Sequence, residues 1–321
     1  MANTSLSFSK RMKNDEFYTR YEDIERELSN YRQYFNDKII YLNCDNPSYS
    51  AFYGYFVNMF KELNLKELWA TFLASDGTNG ILTKYDGAKT IHTKLSGNGD
   101  FHSEECVEFL SQADVIVTNP PFSKFLEFFN LLVSHKKDFI IIGNSNSIFC
   151  RDVFPLFKNG TISCGMNRPK WFRVPDDYDA KNIKIIENVR YASFGNICWY
   201  TTFDAPHNEV PIPLTHSYSA DTYPKYDNYN AIEVSKISMI PKDYFGIMGV
   251  PITYIEHHCP KQFEILWQAS GNTRVSCPKD ILNEIGYIPM KEDRGGAALI
   301  NGKRKYSRVL IRRIEDSEYS E

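Results

Sequence analysis

The clearest chemical signature in the sequence is the tetrad Asn119-Pro120-Pro121-Phe122, which directly follows the hydrophobic segment Asp114 to Thr118. The two prolines fix φ and remove two backbone donors, so the turn is stiff and presents carbonyl oxygens rather than N–H groups. Such a turn suits a substrate that donates hydrogen bonds. The side-chain oxygen of Asn119 and the carbonyl of Pro120 are candidate acceptors, and Phe122 is a candidate stacking face.

An exocyclic amino group such as that of adenine is a substrate of this kind. Its lone pair is delocalised into the ring, and two acceptors that each take one amino hydrogen would localise the lone pair for in-line attack on a sulfonium methyl group. The alternative is that the tetrad only terminates a strand, since Asn and Pro are common turn residues. The preceding strand and the following aromatic residue favour the catalytic interpretation.

The elements that must position this turn follow an alternating pattern. From residue 20 to about 165, short apolar runs alternate with amphipathic segments, which predicts an α/β fold with a mainly parallel sheet. Ligands bind such sheets at the carboxyl ends of the strands. Residues 167–172 are predicted as a loop. Farther along, a hairpin is predicted around Asn301-Gly302, with Tyr306 to Ile311 as its second arm.

Length and composition narrow the class of protein. A chain of 321 residues with 42% hydrophobic residues can form one catalytic domain and an appendage without disulfides. Its 7 cysteines are scattered without a CxxC pair, which argues against a disulfide framework and a thiolate metal site, so no metal is expected. The longest apolar stretch, around Phe139 to Gly143, is too short to span a membrane. We therefore expect a cytoplasmic protein with no membrane partner.

Charge alone does not indicate a nucleic acid partner. The net charge is -3 and the isoelectric point is near 6.2. Any DNA binding must therefore depend on locally clustered lysines and arginines.

Several motifs together resemble one family. Over nearly its whole length the chain resembles the EcoRI-type adenine-specific DNA methyltransferases of type II restriction-modification systems. The segments that carry the resemblance are NDEFYTRYEDIERELSNY at 14–31, YLNCDNPSYSAF at 41–52, GDF at 99–101, VTNPPFS at 117–123, IIGNSNSI at 141–148, YPKYDNY at 223–229 and GVPITY at 249–254.

The resemblance implies a fold, a cofactor and a substrate. The fold would be a Rossmann-like S-adenosylmethionine-dependent methyltransferase sheet with helices on both faces, plus a carboxyl-terminal target-recognition region. The cofactor would be S-adenosyl-L-methionine. The partner would be double-stranded DNA, in which a target adenine is flipped out and methylated on its N6 amino group, so that the site is protected from a cognate restriction endonuclease.

The resemblance also implies which residues hold the cofactor. The turn after the first strand carries Asp45 and Asn46 in place of the usual glycine loop, and both would lie near the methionine moiety; an Asx turn that caps a helix at Ser48 is the alternative. The pair Asp100-Phe101 would contact the adenine of the cofactor. The pair Tyr18-Thr19 would contact the methionine carboxylate, although simple packing near the terminus is also consistent with this position.

Target recognition would follow the catalytic part, because cofactor elements, catalytic turn and a distinct carboxyl-terminal region occur in the order of the gamma group of amino-methyltransferases. The predicted domains are 1–204, the catalytic domain, and 205–321, the DNA target-recognition region. This end of the chain is locally basic, although lysines and arginines near a hairpin are often only a solvated face. The candidate DNA-binding residues are Arg274, Arg294, Lys303, Arg304 and Lys305.

Flipping of the target base calls for aromatic side chains that hold it, since a paired and stacked adenine cannot reach a buried methyl donor. Phe122 is the first candidate. The segment after the strand Thr161 to Met166 supplies Trp171 and Phe172, one of which would be the second face, or both of which pack the sheet edge.

Three other functions remain open from the sequence. An NPP turn would also suit an RNA adenine or a protein glutamine amide, and a catalytically silent DNA-binding relative could keep the fold. The length of the recognition region and the resemblance favour duplex DNA. The oligomeric state is open, with a monomer as the expectation.

Overall fold

A mixed β-sheet forms the centre of the amino-terminal part of the computed structural model, which describes residues 18–74, 78–176, 178 and 182–315. Residues 14–17 of the first family motif therefore lie outside the described part. In spatial order, the eight strands of this sheet are β5 (Thr90–Lys94), β4 (Ile81–Tyr85), β3 (Glu67–Ala70), β2 (Ile39–Leu42), β6 (Val115–Thr118), β7 (Asp138–Asn144), β12 (Ile197–Thr201) and β8 (Ser163–Cys164).

The central strands β3, β2, β6 and β7 pair in parallel. The predicted α/β character is confirmed, but the sheet is mixed rather than mainly parallel. Strand β5 returns from β4 through a tight turn at Asp86 and pairs with it in antiparallel register, since a parallel neighbour would need a long crossover. Strand β12 also runs antiparallel to β7.

The α-helices of the first part lie between its strands in chain order. The side chains of Ser50 and Ser103 cap two of them by accepting the backbone N–H of Tyr53 at 3.2 Å and of Cys106 at 3.3 Å. The α-helices are α1 (Tyr21–Leu28), α2 (Ala51–Met59), α3 (Glu104–Gln112), α4 (Phe125–Ser134), α5 (Phe154–Lys158), α6 (Thr273–Ser276) and α7 (Lys279–Glu284). Short 3-10 segments lie at Ser29–Tyr34, Phe122–Lys124, Ser145–Phe149, Pro206–Glu209, Ile237–Met239, Ile252–His257 and Lys291–Asp293.

A second, smaller sheet joins segments that are far apart in the sequence. Its first strand precedes the first helix, and its other three strands follow residue 170. Its antiparallel strands, in spatial order, are β1 (Tyr18–Thr19), β9 (Trp171–Arg173), β11 (Val189–Ser193) and β10 (Ile183–Ile186). Trp171 and Phe172, predicted in a loop, are therefore strand residues. Successive strand residues point to opposite faces, and Thr19, Phe172 and Ala192 all lie on the buried face.

The chain divides into two compact units, Met1–Ser147 with Cys164–Phe203, and Ile148–Ser163 with Asp204–Glu321. The second unit thus includes a segment that the sequence analysis assigned to the first domain. It has its own sheet, with spatial order β13 (Ala231–Glu233), β14 (Ile247–Pro251), β18 (Arg308–Arg313) and β15 (Phe263–Ala269).

The predicted hairpin around Asn301-Gly302 is confirmed. Its arms are β16 (Leu299–Ile300) and β17 (Lys303–Arg304), and both turn residues have positive φ, as a tight hairpin of this hand requires. The second arm was predicted wrongly, because β18 leaves the hairpin and pairs with β14 and β15 in the four-stranded sheet. In the described residues no helix is both long enough and apolar enough to cross a membrane.

Gly143 on β7 allows the helix that follows the Asn-Pro-Pro-Phe turn to pack closely on the sheet, because a Cβ atom at this position would overlap the buried Phe125 ring. We expect Gly143→Ala to lower the free energy of unfolding by about 1–3 kcal/mol, as overpacking does. The matched change Gly54→Ala, in α2 with open space around the new atom, should leave stability unchanged or raise it by up to about 1 kcal/mol. Urea unfolding of both variants measures this, and equal effects would refute the packing argument.

Candidate active site

A cavity opens at the carboxyl ends of β2, β3 and β6 in the first unit, where ligands bind in open α/β sheets. The space within its lining, together with the solvent at its mouth, is about 1060 Å³. The residues that line it are Tyr18, Thr19, Asn43, Cys44, Asp45, Asn46, Tyr49, Ser50, Ala51, Phe52, Phe72, Leu73, Gly99, Asp100, Phe101, Asn119, Pro121, Ser123 and Lys124.

All six residues expected to bind a cofactor lie on this lining, although they come from three separate stretches of the chain. Two members of the expected catalytic tetrad, Asn119 and Pro121, lie on the same lining. Pro120 is buried beside them, and Phe122 is half-buried. The cavity therefore brings the expected cofactor residues and the catalytic turn together.

The turn after β2 is organised by Asp45. One carboxylate oxygen accepts a hydrogen bond from the Ser50 hydroxyl at 2.7 Å, and the other accepts one from the Thr118 hydroxyl at 2.5 Å. The backbone N–H of Asp45 donates to the carbonyl of Thr71 at 3.1 Å. A single residue thus joins the ends of β2, β3 and β6 to the cap of α2.

The Asp45 carboxyl is buried, and this changes its acidity. Burial raises the pKa of Asp45 from 3.8 to about 6, although hydrogen bonds from Ser50, Thr118 and the backbone N–H of Asn119 oppose the increase. The neighbouring Asn46 forms an Asx turn, in which its side-chain oxygen accepts the backbone N–H of Ser48 at 3.0 Å. The cap of the helix is Ser50 rather than Ser48.

Asp100 and Phe101 form a second wall of the cavity together with Lys124, which the sequence analysis missed. The Lys124 ammonium lies 3.4 Å from Asp100 and 5.6 Å from the centre of the Phe101 ring. Burial acts to raise the pKa of Asp100, but the His102 backbone N–H and the Lys124 ammonium outweigh it and hold the pKa below its ordinary value. Asp100 is therefore a carboxylate acceptor at neutral pH.

Thr19 and Asn43 are buried polar residues on the lining. The hydroxyl of Thr19 and both polar atoms of the Asn43 amide make no hydrogen bond with any described residue. Buried polar groups are nearly always paired, and an exception indicates a bound water, ion or ligand. The cavity therefore fits a polar ligand. Asn43 was missed by the sequence analysis, although a polar residue at the end of a buried strand was the available signal.

The aromatic candidates for base stacking occupy different environments. Phe122 packs edge-on against Phe172, with ring centres 6.3 Å apart. Phe172 is fully buried in the core and has no exposed face for a base. Trp171 lies on the opposite face of β9, where the ammonium of Lys184 is 4.2 Å from the ring centre. Neither residue is on the cavity lining given above.

Two of the basic candidates of the second unit, Arg274 and Lys305, pair with buried carboxylates, although Arg274 is itself exposed. Arg274 donates to the fully buried Asp293 at 2.7 Å, and this carboxylate also accepts backbone N–H groups, including that of Gly295 at 2.8 Å. Lys305 lies 3.5 Å from the buried Glu233, which also binds Arg308. Arg274 and Lys305 thus stabilise the unit itself. The side chains of Arg294, Lys303 and Arg304 are exposed.

Comparison with known proteins identifies the family. The family model described as adenine-specific methyltransferase EcoRI matches residues 5–314. The type II methyltransferase M.EcoRI of Escherichia coli is 38% identical over 335 residues, which cover 97% of this chain and 96% of the relative. Two other type II methyltransferases are similar: M.MgeORF184P of Mycoplasma genitalium, 36% identical over 95% and 97% of the two chains, and M.MpnI of Mycoplasma pneumoniae, 34% identical over 96% and 98%.

No solved structure matches the chain. The cavity, the tetrad and the relatives together define an adenine-specific DNA methyltransferase. The chain belongs to the EcoRI family of type II methyltransferases, as its motifs predicted. RNA and protein acceptors are thereby set aside. In the described part of the chain, no group of three His, Cys, Asp or Glu side chains is arranged to hold a metal ion.

The raised pKa of Asp45 makes a testable contribution to stability. The pKa of the Asp45 carboxyl is 3.8 in the unfolded chain and about 6 in the folded protein. The contribution of the protonated carboxyl to the free energy of unfolding is therefore complete below about pH 4 and is lost as the pH rises to about 6. Between about pH 4.5 and 7 the wild type should lose about 2 kcal/mol relative to Asp45→Asn. Urea unfolding at both pH values measures the difference, and parallel pH profiles would contradict it.

Proposed function

We propose that this protein transfers a methyl group from S-adenosyl-L-methionine to the N6 amino group of an adenine flipped out of duplex DNA, with Asn119-Pro120-Pro121-Phe122 at the reacting centre. The observation that carries the proposal is that Asn119 lines the same cavity as Asp100 and Phe101. The acceptor for an amino group and the candidate cofactor contacts thus share one space.

The residues of the cavity fit the cofactor, and the sheet that carries them is proposed to be of the Rossmann-like, S-adenosylmethionine-binding kind. When bound, S-adenosyl-L-methionine supplies an electrophilic methyl group. The Asp100 carboxylate, ionised at neutral pH, would accept a hydrogen bond from the amino group of the cofactor adenine. Phe101 would pack on the adenine ring. The unpaired groups of Thr19 and Asn43 would bind the polar methionine end, near Tyr18, Asp45 and Asn46.

Asn119 would act on the substrate amino group. Its side-chain oxygen and the Pro120 carbonyl would each accept a hydrogen bond from one N6 hydrogen. These two bonds would localise the nitrogen lone pair on the side that faces the methyl donor. The orientation of Asn119 is supported by the residue before it, because the Thr118 hydroxyl donates to the buried Asp45 carboxylate. Positioned acceptors of this kind act without reorganisation during the reaction.

Flipping of the adenine follows from the geometry of the acceptor, since N6 in a base pair is already bonded to thymine and cannot enter a cavity at a sheet edge. Phe122 is the proposed stacking residue. Its edge-on contact with the buried Phe172 supports it from behind, so Phe172 would act through Phe122. The exposed Arg294, Lys303 and Arg304 of the second unit would contact DNA phosphates.

The decisive experiment incubates the full chain with S-adenosyl-L-methionine carrying a labelled methyl group and duplex DNA of known sequence, and then maps the labelled bases. Labelled N6-methyladenine at one recurring sequence is the expected result. Equal labelling of structured RNA or protein in parallel reactions, or label on cytosine, would contradict the proposal. Cleavage protection of the mapped sequence would identify the endonuclease that the modification opposes.

Asn119→Ala should lower kcat by about two orders of magnitude, because loss of a positioned acceptor costs about 3 kcal/mol in the barrier. The affinity for S-adenosyl-L-methionine should change little, since Asn119 acts on the substrate. Asn130→Ala, an exposed asparagine on α4, serves as the matched control and should keep wild-type turnover. Single-turnover methylation measures the rate, and a near wild-type rate for Asn119→Ala would disprove the proposed role.

Asp100→Ala should weaken cofactor binding by about 1.5–3 kcal/mol, or roughly 10- to 150-fold in Kd, through loss of a charged acceptor. Asp100→Asn keeps one acceptor oxygen without the charge and should show a smaller loss. Titration calorimetry with S-adenosyl-L-methionine measures both variants. An unchanged Kd for Asp100→Ala would mean that the adenine of the cofactor lies elsewhere in the cavity.

A further inference from the structure

The small antiparallel sheet has an outer face that the assignments above do not explain. The strand registers place Tyr18 opposite Arg173, and both Arg173 and Lys184 opposite Tyr191. Residues directly opposite one another share a face, so these side chains form a row of alternating aromatic and cationic groups across the sheet. Trp171 is on the same face, two residues before Arg173.

This face is cationic in a protein whose net charge is -3. The four strands contain Arg173, Lys184 and Arg190 and no acidic residue. Arg190 lies on the inner face and donates to the carbonyl of Tyr178 at 3.0 Å. Arg173 and Lys184 are thus the strand cations of the outer face, and Arg173 is exposed.

Other charged residues lie on the elements beside this face. Arg20, which follows β1, lies 5.8 Å from the centre of the Tyr191 ring and pairs with Glu22 at 3.0 Å. Acidic residues also lie near this sheet: Glu22 and Asp23 belong to α1, and the exposed Asp176 and Glu187 follow β9 and β10 in the chain. The charge of Lys184 acts to lower the pKa of Asp23. Asp23 itself is buried. Of the two cations on the outer face, Arg173 is exposed and Lys184 is half-buried.

The face is continuous with the rim of the cavity. Tyr18 lies at one end of the row and also lines the cavity, where its ring meets Tyr49 edge-on at 5.0 Å. Tyr49 is 51% exposed. A molecule that lies along the row would therefore reach the cavity whose lining includes Asn119.

Alternating cations and aromatic rings on a sheet suit a nucleic acid strand, because cations neutralise phosphates and rings pack against sugars or bases. We propose that the outer face formed by Tyr18, Trp171, Arg173, Lys184 and Tyr191 binds the backbone of the DNA strand that carries the target adenine. The inference rests on the proposed function and adds a DNA contact within the catalytic unit itself.

The test measures affinity for a duplex by fluorescence anisotropy over a range of salt concentrations, with Arg173→Ala, Lys184→Ala and the double variant. Each single change should weaken binding about five- to tenfold near 0.1 M salt and reduce the slope of log K against log salt by about one. In the double variant this slope should decrease by about two. Arg173→Lys should keep most of the affinity, because it keeps the charge.

The matched control is Lys94→Ala, which removes an exposed lysine from the edge strand β5 of the same unit. It should leave the salt slope unchanged, and a loss equal to that of Lys184→Ala would reduce the effect to net charge and overturn the proposal. An unchanged slope in the double variant would overturn it as well.

Two further readouts separate this surface from the proposed function. The Kd for S-adenosyl-L-methionine and the rate of methylation at saturating DNA should stay at wild-type values in the variants, while KM for DNA rises. Failure of the wild type to methylate DNA would contradict the proposed function alone, since the binding measurements do not depend on turnover.

Discussion

The hydrogen bonds of Asp45 are the constraint on which the site depends. The three parallel strands β2, β3 and β6 must end side by side for a cavity to form between the loops that follow them. Asp45 fixes this level because its backbone binds the carbonyl after β3, while its carboxylate binds hydroxyls at the end of β6 and at the cap of α2. The arrangement places an ionisable group out of water, and hydroxyl donors offset only part of the desolvation.

Local motifs could be predicted from the sequence, and long-range pairings could not. Asp45 and Asn119 follow β2 and β6, which are parallel neighbours, so parallel pairing predicts that these two residues lie together. Asp100 follows β5, an edge strand with antiparallel pairing, and only the family resemblance predicted its place at the site. The small sheet has no such signal. Strand β1 has two residues and β9 has three, and their pairing joins Tyr18 to Arg173 across most of the first unit. Periodicity cannot be read from segments so short.

The position of Phe172 shows the same limit. Two adjacent aromatic residues indicate either a stacking platform or a sheet edge, and only the register of β9 decides which ring points inward. Phe172 is paired with Thr19 on the buried face, so Trp171 is turned the other way. Asn43 and Lys124 were missed because their roles depend on burial and on a neighbour, neither of which is a property of residue type.

Some basic side chains of this acidic protein form ion pairs with buried carboxylates, and others are exposed to solvent. In the second unit Arg274 and Arg308 are held by the buried carboxylates Asp293 and Glu233, which fix the loops that present other side chains. Removal of Arg274 would leave the buried carboxylate of Asp293 without this cationic partner. The basic residues near the carboxyl end therefore include side chains held in ion pairs as well as exposed side chains such as that of the hairpin residue Arg304.

The pairing of β1 with β9 also bears on how the protein is made. Synthesis proceeds from the amino terminus, and early segments can fold before later ones exist. Tyr18 and Thr19 are among the first residues of the described chain to be synthesised, yet their strand has no neighbour until Trp171–Arg173 has been added. The wall of the cavity that they form is thus completed only when most of the catalytic unit has left the ribosome. A nascent chain that already contains the Asn-Pro-Pro-Phe turn therefore still lacks the strand pairing that completes this wall of the cavity.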